Sequence, residues 1–145
     1  MWLQSGYPAE EHEVTTTDGY RLRMDRLPRS GKRVVFFVHG ILDTSLSWVC
    51  TGATESQAFA AWDAGCDVWL ANSRSNPPRQ HVDPAFQGPA YWHYSVNELG
   101  LHDLHAQVRR RSRAPESAAC PSGHYPCMHA LLLSLHAGYS LQYHR

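Results

Sequence analysis

Val34-Val35-Phe36-Phe37-Val38-His39-Gly40-Ile41-Leu42 decides the fold of this 145-residue chain. Five apolar residues end abruptly in His-Gly. An uninterrupted apolar run of this length reads as a strand buried on both faces of a parallel sheet. Gly40 is expected to let the backbone turn sharply and to free the next amide, that of Ile41, to face a substrate. Pro28 to Lys32 is the polar turn that leads into the run.

Upstream, two alternating runs, Glu13–Thr17 and Tyr20–Arg26, flank Asp18-Gly19. Asp-Gly between such runs is a strong hairpin signal. Downstream, Ser45–Thr51 reads as a loop. Gln57–Ala64 reads as a helix that stops at Gly65, a glycine placed to close it. Asp67–Ala71 is then a second buried strand, so strand, helix and strand make a βαβ unit. Asn72–Gln80 is a loop with two prolines. Ser95-Val96-Asn97-Glu98 fits a capping box. It opens an amphipathic helix whose apolar positions are Leu99, Leu101, Leu104 and Val108. The fold class is α/β.

Beyond Val108 the pattern breaks. Residues 1–108 carry eight Lys/Arg against twelve Asp/Glu, whereas 109–145 carry five Arg against Glu116 alone. Arg109–Arg113 is followed by Pro, Ser, Ala, Cys, Gly and His without clear period, and only Ala130–Leu135 suggests another strand or a short helix. We divide the chain into 1–108 and an irregular tail, 109–145. A shifted reading frame, a retained intron or a mis-assigned exon after Val108 would produce such a change, and a divergent tail is the competing account.

Composition narrows the rest. The formal net charge is zero, which demands no nucleic-acid partner. No basic segment followed by an apolar one opens the chain, so no signal peptide is visible. No apolar stretch approaches the ~20 residues that cross a bilayer. The four cysteines, Cys50, Cys66, Cys120 and Cys127, are expected to be reduced.

Several motifs in order resemble the acid lipases, the α/β-hydrolase-associated lipases that include gastric and lysosomal members and plant and fungal relatives. The likeness begins at Gly6-Tyr7-Pro8-Ala9-Glu10-Glu11-His12-Glu13-Val14-Thr15-Thr16-Thr17-Asp18-Gly19-Tyr20. It continues through His39-Gly40-Ile41-Leu42-Asp43, Ser47-Trp48-Val49 and Ala64-Gly65-Cys66-Asp67-Val68-Trp69-Leu70-Ala71-Asn72-Ser73-Arg74. It ends at Tyr91-Trp92-His93-Tyr94-Ser95-Val96-Asn97-Glu98-Leu99-Gly100 and Asp103-Leu104. The resemblance implies a partial α/β-hydrolase fold, an N-terminal hairpin followed by the first βαβ of the parallel sheet. It implies hydrolysis of triacylglycerols or steryl esters by a Ser-His-Asp triad without metal or other cofactor. The partner is then a neutral lipid ester, with peripheral contact to a lipid surface and no nucleic acid. Family members are often secreted, lysosomal or endomembrane-associated.

Carried over residue by residue, the resemblance assigns an oxyanion-hole loop to His39, Gly40, Ile41 and Leu42, with the Ile41 N–H as donor. Ser75 stands where the family usually has glycine, which puts the conformation of that loop in question. Gly-x-Ser-x-Gly is absent from the chain. Gly138-Tyr139-Ser140-Leu141-Gln142 comes nearest, but Gln142 replaces the final glycine. Only three residues follow, among them His144. Ser140 is therefore a weak nucleophile candidate, the catalytic Asp and His are missing, and the chain is expected to be inactive alone. A non-catalytic isoform or pseudoenzyme that binds lipid or a full-length partner is the alternative.

Other constellations carry less. Cys120, His124, Cys127 and His129 do not match common zinc spacings. Arg109–Arg113 reads as a solvated helix end, and His102 and His105 as surface residues. Tyr91, Trp92 and Tyr94 read as packing before an acyl pocket, and Asp18 and Glu98 as turn and capping residues. With about four strands in 1–108, Val34–Val38 is expected to present an unpaired apolar edge. Such an edge favours aggregation, and a half-sheet of this size is marginally stable.

Overall fold

The computed structural model describes residues 6–112 and the backbone of 129–132. Strand β1 (Glu10–Thr15) and strand β2 (Tyr20–Leu27) form the expected hairpin, with Thr15 opposite Arg21. Its turn closes because the Thr16 side chain accepts the Tyr20 N–H at 2.9 Å and Gly19 adopts φ +94°. Strand β3 (Val34–Val38), helix α1 (Gln57–Asp63) and strand β4 (Asp67–Ala71) come next. β3 and β4 pair in parallel, Val34 opposite Asp67, as the βαβ reading requires. Gly65 closes α1 at φ +90°.

The sheet order is β1-β2-β4-β3-β6, with the two-residue β5 (Gln80–His81) beside the start of β2. Strand β6 (His129–Leu132) pairs in parallel with β3, Val38 opposite Leu132. This corrects the expectation that Val34–Val38 presents an unpaired edge. The apolar run has a neighbour on both sides because a short stretch of the 109–145 segment supplies the second one.

Alternation along the strands splits the core into two faces. Phe37, Val68, Leu70 and Leu27 pack against Phe59 and Ala58 of α1 and against Trp48. Val34, Phe36, Trp69, Ala71 and Met24 pack on the other face, with Leu104 over them. Fully burying an aliphatic or aromatic side chain contributes about 1.5–3 kcal/mol, so this two-faced cover is what holds β3 and β4 in place.

Two segments depart from the sequence reading. Ser45–Thr51 is not all loop, because Ser45–Trp48 forms a 3₁₀ turn capped by Thr44. The last helix opens on the expected capping box, in which Ser95 and Glu98 cap each other. It is not one α-helix, however. Helix α2 (Val96–Glu98) passes into a π-helical segment, Leu99–Leu104, and then into helix α3 (His105–Ser112). A π turn carries an extra residue and rotates the helix beyond it. Asp103 and Gln107 consequently face inward at 2% exposure each, whereas Leu101 is 72% exposed.

Candidate functional site

β3 ends at Val38, and the next four residues, His39–Leu42, form a turn at the carboxyl end of the sheet. The Asp43 N–H donates to the Gly40 carbonyl at 3.3 Å and closes that turn. The unusual backbone expected at Gly40 lies instead at Leu42, which is left-handed at φ +66°. Leu42 sits at the third turn position, where a positive φ normally calls for glycine. It is 97% exposed and Ile41 is 72% exposed. Among the described residues, the Ile41 N–H donates to no acceptor.

His39 fixes the root of this turn. Its Nε2 accepts from the Ser73 N–H at 3.1 Å and from the Asn76 side-chain amide at 2.8 Å. A backbone N–H only donates, so Nε2 carries no proton and the hydrogen of the neutral ring sits on Nδ1. Nδ1–H in turn donates to the Gly40 carbonyl at 2.7 Å. Asn76 spends its second amide hydrogen on the Asp43 carbonyl at 3.0 Å. One asparagine thereby clamps both ends of the turn.

That clamp is held by the segment after β4, Asn72–Asn76, whose polar groups are met by side chains from across the fold. The Asn72 carbonyl accepts from Gln107 of α3 at 2.6 Å. Its side chain accepts from the Ser45 N–H and donates to Ser45 and to the buried Asp25. The Tyr91 hydroxyl donates to the Arg74 carbonyl at 2.7 Å. Ser75 is not at positive φ, so the serine at that position is accommodated. Its hydroxyl shares a hydrogen bond of 2.6 Å with that of Ser73.

Arg74 is the charged centre of this arrangement, 1% exposed. Its backbone N–H and Nε–H donate to the two Asp103 oxygens at 2.9 Å each, and Nη2 to Asp103 at 2.7 Å. Nη1 donates to Asp18 at 2.7 Å, and the guanidinium lies 3.8 Å from the Tyr20 ring centroid. Burial works against the Arg74 charge, but the two aspartates outweigh it and raise the affinity for the proton. Burial also pushes the Asp103 carboxyl up, and the Arg74 hydrogen bonds offset only part of that. Asp18 is more open to water. Its burial is overcome by hydrogen bonds from Arg74 and Thr16, and its carboxyl falls below the usual range. The sequence marks Asp18 only as a turn residue; it also anchors the arginine.

Known proteins resemble this chain in sequence and in fold. A profile described as "Partial alpha/beta-hydrolase lipase region" matches residues 1–52. The human "Lipase member K" is 38% identical over 112 residues, covering 71% of this chain and 28% of that protein. The human gastric triacylglycerol lipase is 39% identical and the human lysosomal acid lipase/cholesteryl ester hydrolase 38%, with the same coverage. The N-terminal part of this chain is similar in sequence to the acid lipases. The chain spans about 28% of the length of these relatives. Esterases from Pyrococcus furiosus share the fold, one with a TM-score of 0.54 at 15% identity, over 81% of this chain and 40% of that one. The acid-lipase part thus carries a partial α/β-hydrolase fold.

Of the residues singled out from sequence, His39, Gly40, Ile41 and Leu42 form one turn. Ser140 lies outside the described residues, as do Cys120, His124 and Cys127, and of His129 only the backbone in β6 is described. Among the described residues no cluster of His, Cys, Asp and Glu is placed to hold a metal. Among the described residues Cys50 and Cys66 form no disulfide. Tyr91 and Tyr94 pack around Tyr20, which supports the packing reading. His105 is exposed, whereas His102 is half-buried and hydrogen-bonded to Thr17 at 2.8 Å. No helix of the described residues is long and apolar enough to cross a membrane. Sequence reasoning missed Asn76 and Gln107, because each acts through a partner distant in the chain.

Proposed function

We propose that His39–Leu42 is the oxyanion-hole loop of a serine ester hydrolase acting on neutral lipid esters, triacylglycerol or steryl ester, with the Ile41 N–H as one donor. One observation carries this reading. A turn at the carboxyl end of the central strand is clamped by His39 and Asn76, while the N–H of Ile41, an exposed residue, is left without an acceptor among the described residues. Fixed donors of this kind stabilise the charge that develops on an ester carbonyl, worth roughly 3–4 kcal/mol each beside a working nucleophile. We further propose that 1–108 is the functional acid-lipase part, that 109–145 is foreign to the family, and that the 145-residue chain does not turn over esters alone.

The test is a chimera in which residues 6–108 replace the matching segment of human gastric triacylglycerol lipase. The chimera should hydrolyse a short-chain nitrophenyl ester, and the chain itself should not. A folded but inactive chimera would remove the reading. Hydrolysis by the chain that disappears in Ser140→Ala would overturn the claim of inactivity. The exposed Ile41 and Leu42 favour a second reading, a non-catalytic chain that touches lipid through this turn. Vesicle binding that is lost in Leu42→Asp, together with an inactive chimera, would select it. Sequencing the transcript through codon 108 and reading all three frames tests the division at that point.

A further inference from the structure

The same end of the sheet holds a concave surface, separated from the 39–42 turn by the Asn72–Asn76 segment. β2 runs antiparallel to β4, with Met24 opposite Ala71, so Tyr20 and Arg21 extend past the carboxyl end of β4. β5 pairs with that overhang, Arg21 opposite Gln80. The result is a cleft of about 490 Å³ between β5 and the 3₁₀ turn Gly88–Trp92. Its volume is in the range of small-molecule sites, ~300–1,000 Å³.

The lining has two chemistries. Phe86, Tyr91 and Trp92 supply aromatic surface, with His81 stacked on Phe86 at 4.2 Å. Arg21 and Arg79 supply two guanidinium groups, against a single carboxylate, Asp83. Neither arginine makes an ion pair among the described residues. Arg79 is held in place nonetheless. Its Nε–H donates to the Ser75 carbonyl at 2.9 Å and its guanidinium carbon lies 5.3 Å from the Trp92 ring centroid. Its backbone is left-handed, φ +53°, a strained conformation for a residue with a side chain. The Ser75 bond and the Trp92 contact hold an arginine whose terminal nitrogens make no hydrogen bond among the described residues. The His81 ring is tied to the backbone, Nε2–H donating to the Asp18 carbonyl at 2.8 Å and Nδ1 accepting from the Asp83 N–H at 2.9 Å.

We propose that this cleft binds an amphipathic anion, an oxyanion such as a carboxylate or phosphate carried on an apolar body. The planar guanidinium groups of Arg21 and Arg79 would take the oxyanion in paired hydrogen bonds. The Trp92 and Phe86 surfaces would take the apolar body. The site stands apart from the ester-hydrolysis reading, because none of these residues belongs to the 39–42 clamp.

The full 145-residue chain is titrated at low salt with octanoate, octyl phosphate and, as the uncharged control, octanol, by calorimetry and tryptophan fluorescence. Parallel arms use phosphatidylcholine vesicles with and without phosphatidylglycerol. Saturable binding of a soluble anion, absent for octanol, supports a free-ligand site. Binding only to phosphatidylglycerol vesicles assigns the anion to a lipid headgroup. In either case R21Q/R79Q should weaken binding about tenfold or more, R79K should restore part of it, and added salt should weaken it. Both arginines are exposed, so the melting temperature should not move. Binding unchanged in R21Q/R79Q, or no binding of any anion at low salt, overturns the proposal.

Discussion

Replacing Arg74 by methionine leaves Asp103 as a buried carboxylate without its countercharge. The Asp103 side chain is 3% exposed, and its donors among the described residues are the backbone N–H, Nε and Nη2 of Arg74. Methionine keeps only the backbone donor. Breaking a buried pair from one side costs about 3–5 kcal/mol. Asp18 adds little, because at 28% exposure water screens it. Methionine preserves contact with the Tyr20 ring, so lost packing is a minor part. In urea unfolding followed by tryptophan fluorescence, Arg74→Met should therefore lose about 3–5 kcal/mol, or roughly 10–20 °C in melting temperature.

Two controls separate the charge from the packing. Adding Asp103→Asn restores a neutral acceptor for the residue-74 N–H and should recover about half of the loss. The pH dependence supplies the second control. Without the Arg74 guanidinium, only the residue-74 N–H offsets the burial that already pushes the Asp103 carboxyl up. A carboxyl whose affinity for the proton is higher in the folded state than in the unfolded state stabilises on protonation. The deficit of Arg74→Met should thus shrink as pH falls toward 4, the usual carboxylate range. A loss below about 1 kcal/mol, or a deficit independent of pH and unrelieved by Asp103→Asn, would refute a buried ion pair as the centre of this segment.

Single contacts set three further outcomes. Gly19→Ala places a Cβ at φ +94° and 2.6 Å from His81 Nε2, so it should cost about 1–3 kcal/mol and loosen β5, read by amide exchange at Val82. Phe59→Ala empties the α1 face of the core, where Phe59 is 1% exposed, and should cost about 3–5 kcal/mol in the same unfolding assay. Asp18 has its carboxyl held down, so its contribution is present above its unfolded value near 3.8 and is lost as pH falls through the lower folded value. Asp18→Asn should be less stable than the parent at neutral pH and should lose less on acidification below pH 4.

Local patterns carried the parts of the fold that local forces build. Asp18-Gly19 specifies a tight turn, 34–38 and 68–71 are apolar on both faces, and Ser95 with Glu98 closes its own helix end. The unread parts depend on partners far along the chain. Asp103 and Gln107 lie one position from the apolar pair Leu104 and Val108, so the apolar spacing alone does not show that the polar pair is the more deeply buried one. Arg74 is 56 residues from Asp18 and 29 from Asp103, so no window of sequence shows the triad. The pairing of β6 was invisible for a similar reason. Ala130–Leu135 reads as a strand or a short helix from its own residues, and only the open side of β3 decides for a strand at His129–Leu132. In the candidate site, the end of β3 pointed to 39–42, but Asn76 looked like any polar loop residue.

The role of Asn76 reduces to where one proton sits. In the parent chain both groups facing His39 Nε2 are donors, the Ser73 N–H and the Asn76 amide. They force the imidazole proton onto Nδ1, which then holds the Gly40 carbonyl. Asn76→Asp keeps the size of the side chain and replaces the donor by an acceptor. A carboxylate at that point needs a proton on Nε2, and a protonated Nε2 no longer accepts from Ser73. The Asp43 carbonyl loses its donor at the same time. Nitrogen-15 spectra of the ring should show an unprotonated Nε2 in the parent and a protonated one in Asn76→Asp. Amide exchange at Ile41, Leu42 and Asp43 should quicken in the variant. In the chimera, kcat should fall with KM nearly unchanged, because a loosened donor is missed only when charge develops on the carbonyl. A parent spectrum with the proton on Nε2, or a variant with unchanged exchange at 41–43, would mean that the turn holds its shape without the clamp.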